Sequence, residues 1–292
     1  MRKVFTVRLS AGLCNRLRVL LSAIGFCEAT NRHLLIHWDR KSALNVSLRS
    51  LFTHDFKEIG PRTAAVLETV AEKMGTRYAY NQLHLGITSP LIYVDATRVF
   101  TCVDHYRFPL VTYMSRILPI LSIQEQILAF YCDHFAGHKI VGVSIRHTDA
   151  ASKALEHSPP EWFVQRINEI SRCDRSVKVF LSADCKKISD YIRSHVQVQI
   201  LEMQKTFAYN QGDGVREAVC DLYLLSLCNY IVGSYWSSFS DMAFWMRGES
   251  AFETSMDSSN IALLPKYLGQ ALPKTVNQNW LRERLPFNGN YH

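Results

Sequence analysis

Apolar residues recur at two spacings along this chain, and the switches from one spacing to the other mark its elements. Val4 to Leu9 alternates apolar and polar positions as a half-buried strand does. Ser10 to Asn15 reads as a loop, and Arg16 to Thr30 carries Leu17, Leu20, Leu21 and Ile24 at helical spacing. Asn31 ends that helix, and Leu34, Leu35, Ile36 and Trp38 form the next strand, which completes a βαβ unit. From Asp39 to about Leu121 the pattern weakens into short apolar pieces, Leu91 to Val94 and Phe100 to Val103, with helices expected near Ala64 to Lys73 and Ile123 to Phe135.

A second and clearer βα series begins at Lys139, so Gly137 and His138 mark the expected boundary between residues 1–137 and 138–292. Its first strand, IVGVSIRHTD from Ile140 to Asp149, has β-branched Val141, Val143 and Ile145, with Gly142 leaving room for another backbone to approach. Helices are expected over Glu161 to Ile170, behind Pro159 and Pro160, over Lys186 to Arg193 and over Val215 to Cys228. Between them lie strands at Val177 to Leu181 and Val196 to Leu201, and Tyr230 to Gly233 is another. Ser238 with Asp241 three positions on resembles a capping box, opening a last helix that runs to Arg247 and stops at Gly248. Two consecutive α/β domains with parallel sheets follow from this order.

Composition narrows the function classes. The 292 residues are 48% hydrophobic and 20% charged, enough for two domains with real cores. A net charge of +7 suits anionic partners, but the basic residues are scattered and no nucleic-acid module is present, so no nucleic-acid partner is expected. Eight cysteines include no CxxC pair, and Cys27, Cys220 and Cys228 fall within apolar helical patterns, as reduced core residues do. Arg8, Asn15, Arg16 and Arg18 interrupt the N-terminal apolar run, which argues against a secretory signal, and no run approaches a membrane span. A soluble, cytoplasmic protein without an integral membrane segment is expected.

Chemistry gathers at strand ends and helix starts. In open α/β sheets ligands bind outside the carboxyl ends of the strands, where Arg146, His147, Asp149 and Asp184 stand. The Arg146 guanidinium matches phosphate oxygens, although a salt bridge to Asp149 would also satisfy it. His147 points away from Arg146 if the strand continues. Asp149 fits a turn cap, a partner for Arg146 or a base, and Glu156, in a flexible loop beside His157, fits a general base or a solvated acid. Ser237 and Ser238 at a helix start suit a phosphate cradle or ordinary capping. Asp221, on the margin of a buried stripe, must find a partner: a ribose, a base edge or a neighbouring backbone. Asn15, Arg16 and Arg18 sit at another helix start, but a single Gly12 in that turn falls short of a dinucleotide fingerprint. No Asp-x-Asp pair and no metal-ligand spacing occurs, so no metal is expected.

Three segments in this order resemble the fucosyltransferase superfamily of nodulation-type and N-glycan-core α1,6-fucosyltransferases and protein O-fucosyltransferases. They are AGLCNRLRVLLSAIGFCEATNRHLLI, VGVSIRHTD and DLYLLSLCNYIVGSYWSSFSDMAFWM, with VFLSAD between the last two. The resemblance covers the first 38 residues and about 139 to 247. It implies a GT-B fold, two Rossmann-like domains facing across a cleft, with an acceptor-side domain first and a donor-nucleotide domain second. It further implies an inverting, metal-independent glycosyltransferase that moves fucose from GDP-fucose to a glycan or glycoconjugate hydroxyl, with no cofactor beyond the donor. Other readings are a GT-B enzyme for another nucleotide sugar and a catalytically inactive nucleotide-sugar-binding protein. By the same resemblance Arg146 contacts the β-phosphate, Asp221 the guanine, and Ser237 and Ser238 the phosphates. Asn15 lies in the turn that faces the cleft, His147 and Asp184 join the donor site, and Glu156 or Asp149 takes the acceptor proton. The chain departs from the family pattern at Ser144 (a His there), His147 (a second Arg), Cys185 (a second Asp) and Ala154, onto which the base of the core α1,6 branch aligns.

Overall fold

The computed structural model describes residues 3–40, 44–103, 110–148, 152–208, 211–247, 252–253, 264–268 and 280. These gather into two compact units, Met1–Ile120 with Asn210–Gly212, and Leu121–Tyr209 with Asp213–His292. The helix at residues 121–130, expected ahead of the boundary at Gly137, belongs to the second unit, so the division falls at Ile120.

The first unit runs β1 (Val4–Leu9), α1 (Leu13–Thr30), β2 (His33–Trp38), β3 (Phe52–Thr53), β4 (Lys57–Glu58), α2 (Pro61–Lys73), β5 (Arg77–Tyr78), β6 (Leu91–Ala96) and β7 (Leu118–Pro119). Its main sheet has the order β4-β2-β1-β6-β5 with every pairing parallel, while β3 and β7 form a separate antiparallel pair. α1 starts three residues earlier than its apolar spacing predicts and is buried from Leu13 through Cys27 except at Asn15 and Arg18. Phe26 of α1 meets Phe5 of β1 at 4.9 Å between ring centroids, and Phe100 closes the cluster at 5.7 Å from Phe5. Edge-on and tilted contacts of this kind add to the area buried.

In the second unit follow α3 (Leu121–Phe130), β8 (Ile140–Ile145), α4 (Ser152–His157), α5 (Pro160–Cys173), β9 (Lys178–Ala183), α6 (Lys186–His195) and β10 (Ile200–Leu201). Then come α7 (Gly212–Ser226), β11 (Tyr230–Gly233), α8 (Ser238–Arg247), β12 (Phe252–Glu253) and α9 (Leu264–Leu268). The parallel sheet has the order β10-β9-β8-β11-β12. Only the last two residues of the strand expected at Val196 to Leu201 pair, and Glu156 and His157 lie in the last turn of α4 where a loop was expected. The predicted stop of α8 at Gly248 lies outside the described residues.

β8 is buried along its whole length because both faces are covered. Val141, Val143 and Ile145 face Trp162, Phe163 and Ile167 of α5 and Ile188 and Ile192 of α6. On the other face a Cβ at Gly142 would come within 2.9 Å of both Cys228 Sγ and Leu225 Cδ2, so the close approach that needs glycine is made by side chains rather than by a backbone. Gly142→Ala is expected to overpack this contact and cost about 1–3 kcal/mol, read from the urea midpoint. Cys14, Cys27, Cys220 and Cys228 are buried, Cys132 and Cys173 are exposed, and all eight cysteines are free. Among the described residues no helix is long and apolar enough to cross a membrane.

Candidate functional site

In the second sheet the chain leaves β8 toward β9 on one side and returns to its other side as β11. The carboxyl ends of β8 and β11 therefore frame a point where the strand order reverses, the place where α/β sheets bind ligands. Arg146, His147 and Thr148 follow directly from β8. The strand stops at Ile145, so the alternation expected for Arg146 and His147 does not apply, and the residues after it are held from two sides. On one side the Arg146 N–H donates to Ser234 Oγ at 2.9 Å, and the Ser234 N–H donates to the Ser144 carbonyl at 3.0 Å. On the other side Asp184 Oδ2 accepts the N–H groups of both His147 and Thr148 at 2.9 Å, while the Asp184 N–H donates to the Ile145 carbonyl at 3.2 Å.

Asp184 thus organises the turn that carries Arg146. Its second oxygen, Oδ1, and the Nδ1 of His147 are shielded and take no hydrogen bond from the described residues. Asp184→Ala is expected to strand two N–H groups and cost roughly 1–3 kcal/mol, and Asp184→Asn, which keeps an acceptor oxygen, to cost less; thermal melting of both variants reads the difference.

The start of α8 lies immediately after β11. The cap is Ser237, one residue before the expected Ser238: its Oγ accepts the Ser240 N–H at 3.4 Å and its carbonyl accepts the Asp241 N–H at 3.0 Å. Ser238 is buried in the first turn of the helix, whose free N–H groups and dipole favour an anion. Ser240 Oγ donates to Ser144 Oγ at 3.3 Å. Ser144 lies on the same face of β8 as Gly142, and the contact from Ser240 of α8 leaves room there for only a small side chain.

Asp221, on α7, is buried, and its Oδ2 accepts from Ser182 Oγ at 2.6 Å and from Lys205 Nζ at 2.6 Å. Burial pushes its carboxyl above the usual carboxylate range, against the opposing pull of Lys205 and Ser182. Lys205 also donates to the Ala183 carbonyl at 3.3 Å and lies 3.8 Å from Glu202. This lysine tethers residues 202–205 to the end of β9, one position from Asp184. Sequence reasoning missed it; the signal was Asp221 itself, since a buried acid requires a cation or several donors.

The remaining candidates are placed as follows. Glu156 is exposed on α4, and Asp149 lies outside the described residues. In the first unit, Asn15 sits in the first turn of α1 with its Oδ1 accepting from Arg18 Nη2 at 3.0 Å. Arg16 is fully buried, donates from Nε to the Ala11 carbonyl at 2.7 Å and lies over the Trp38 ring. Burial lowers its guanidinium to about 10. A group not singled out from sequence stands at the carboxyl ends of β1, β2 and β6: Arg8 pairs with Asp39 at 2.6 Å and with Asp95 at 3.3 Å, and Ser10 Oγ donates to Asp95 at 3.4 Å. Among the described residues no three His, Cys, Asp or Glu side chains cluster as a metal-binding set.

Known proteins share this architecture. The NodZ α-1,6-fucosyltransferase soaked with GDP-fucose superposes with a TM-score of 0.59 at 20% identity, covering 84% of this chain and 93% of that one. The fold is that of the fucosyltransferases. POFUT1 in complex with GDP-fucose matches with a TM-score of 0.59 at 11% identity over 87% of this chain and 98% of its own. An Arabidopsis thaliana FUT1 variant in complex with GDP matches at 0.59 and 13% identity over 84% of this chain and 68% of its own. In sequence, Nodulation protein Z of Sinorhizobium fredii is 25% identical over 136 residues, a match that spans 40% of this chain and 42% of that protein. No protein-family model matches the chain.

Proposed function

We propose that this chain is a GT-B glycosyltransferase that moves fucose from GDP-fucose to a hydroxyl of a glycan or glycosylated acceptor, with inversion and without a metal. The observation that carries the reading is the placement of Arg146. It stands at the strand-order reversal, braced by Ser234 and Asp184, with the N-terminus of α8 following β11. Fucosyltransferases with GDP-fucose or GDP bound share the fold.

In this reading the acceptor oxygen attacks the anomeric carbon as the bond from that carbon to the β-phosphate oxygen breaks, and GDP departs with the electron pair. Negative charge then grows on the diphosphate. Arg146 and the α8 N-terminus with Ser237 and Ser238 stabilise it in place of a cation, the electrostatic contribution that usually dominates such steps. The acceptor proton passes to Glu156 or Asp149, or to solvent. His147 and Asp184 belong to the donor side, where Asp184 positions the turn. Asp221 shapes the nucleotide pocket through Lys205, since its Oδ2 is already committed to that lysine and to Ser182. On the acceptor side stand Asn15 and the Arg8, Asp39 and Asp95 group, whose donors and acceptors suit a polyhydroxylated molecule.

Thermal shift against a panel of nucleotide sugars tests the donor, because a ligand that binds only the folded state raises the melting temperature with its concentration. GDP-fucose is expected to give the largest rise. A larger rise with a different nucleotide sugar would sink the assignment of fucose, and saturable GDP-fucose binding without transfer to any glycan would favour an inactive binding protein, the reading that Ser144, His147 and Cys185 sustain.

A further inference from the structure

Both faces of a parallel sheet packed between helices are ordinarily apolar. In the first unit one face keeps to this rule: Phe5, Val7 and Leu9 of β1 and Ile92, Val94 and Ala96 of β6 are buried, and Phe5 packs on α1 through Phe26. The opposite face does not. In register across the three central strands it carries Thr6 beside Tyr93 and then, at the carboxyl ends, His37, Arg8 and Asp95 in a row. Glu68 of α2 borders this face, close enough to Tyr93 and His37 to act on the ionisation of both. The row stands where the strand order reverses, because the chain leaves β1 for β2 on one side and comes back as β6 on the other. Arg8 grips the buried Asp39 at 2.6 Å, but its contact with Asp95 is longer, 3.3 Å, and the other Asp95 oxygen accepts only from Ser10 Oγ at 3.4 Å. The Arg8 and Asp95 side chains are 36% and 32% exposed, so the carboxylate has lone pairs, and the guanidinium N–H groups, for a molecule arriving from solvent. Beside them His37 Nδ1 and Thr6 Oγ1 are shielded and take no hydrogen bond from the described residues. Burial holds the His37 imidazole below its usual pKa, which favours the neutral ring, a donor at one nitrogen and an acceptor at the other. Shielded polar groups of this kind cost stability that aliphatic side chains would not, so core packing does not account for the row.

We propose that the row of His37, Arg8 and Asp95, with Ser10, binds two adjacent hydroxyls of an uncharged sugar ring of the acceptor, one donating to Asp95 and its neighbour accepting from Arg8. This rests on the glycosyltransferase reading above and names the residues that select the acceptor. A carboxylate beside a guanidinium matches a vicinal diol, in which each oxygen both donates and accepts. A sugar acid or a phosphorylated sugar fits less well, because the exposed Asp95 carboxylate would face its negative charge.

Isothermal titration of the full chain with uncharged disaccharides of glucose, galactose, mannose and N-acetylglucosamine, with the uronic acid counterpart of each that binds, and separately with GDP, tests it. The parent is expected to bind at least one uncharged disaccharide, and its uronic acid counterpart more weakly. Asp95→Ala should weaken binding of the uncharged sugar about tenfold with GDP affinity unchanged. Asp95→Asn, which keeps an acceptor oxygen and loses the charge, should retain part of that affinity and narrow the discrimination against the uronic acid. Its melting temperature should hold near that of the parent, because Arg8 keeps its pairing with Asp39. Unaltered saccharide affinity in Asp95→Ala, a loss of GDP affinity in either variant, a uronic acid bound as tightly as the uncharged sugar, a fall of several degrees in the melting temperature of Asp95→Asn, or a parent chain that binds none of the disaccharides would each overturn the assignment. Failure of the parent to bind GDP would instead sink the donor reading on which it rests, so the two failures are distinguishable.

Discussion

Arg146→Ala is expected to lower the turnover of GDP-fucose by roughly 10²–10³-fold, the loss seen when one preorganised charge-stabilising donor is removed from a transition state. Arg146→Lys should fall between the two, since an ammonium keeps the charge but not the planar fork that grips two phosphate oxygens. The fold should be unaffected. The hydrogen bond that locks this residue to Ser234 comes from its backbone N–H, which alanine retains. GDP release measured alongside thermal melting separates the possibilities. Near-parental turnover in Arg146→Ala would remove the centre of the proposed mechanism, whereas lost turnover with an equal loss of stability would make the arginine structural.

Why Arg146 was visible in the sequence, and Lys205 was not, is a matter of range. β8 announces itself locally: three β-branched residues at alternate positions, then an abrupt change to polar side chains. The same holds for β1, α1, β2, α5, α6 and β11, each long enough to show its period. β3, β4, β5, β7 and β12 are two residues each and too short to show one, whereas β10, equally short, lies at the end of the strand expected at Val196 to Leu201. The Lys205–Asp221 pair joins residues 16 apart on different elements, and no periodicity reports such a pairing. Trp236 reads in sequence as one more apolar residue before a helix; its exposure and its left-handed backbone belong to the folded chain and no periodicity reports them. The shift of the α8 cap from Ser238 to Ser237 is of the same kind, since adjacent serines offer equivalent hydroxyls and tertiary packing chooses between them.

Lys205→Met is expected to destabilise the chain by about 3–5 kcal/mol, because it leaves a carboxylate buried without its cation. The side chains of Lys205 and Asp221 are 5% and 4% exposed, so water cannot replace the lost partner. Asp221→Asn in the same background should restore much of the loss, giving a double-mutant cycle with strong coupling. The pH dependence has a definite sign. Burial already raises the Asp221 carboxyl above its unfolded value, and Lys205 is the strongest influence opposing that rise. Without the lysine the carboxyl rises further, so the folded variant binds a proton that the unfolded chain has released. Stability of Lys205→Met should therefore be greatest below the unfolded carboxylate value near 4 and fall as pH rises toward the elevated folded value, widening its gap to the parent. Urea midpoints from pH 4 to 8 check this; a gap independent of pH would mean that Asp221 is uncharged even beside Lys205. Lys205 also holds the Ala183 carbonyl, next to the aspartate that grips the turn after β8. The same variant should consequently weaken GDP binding at pH values where it remains folded, which would tie the buried pair to the placement of Arg146.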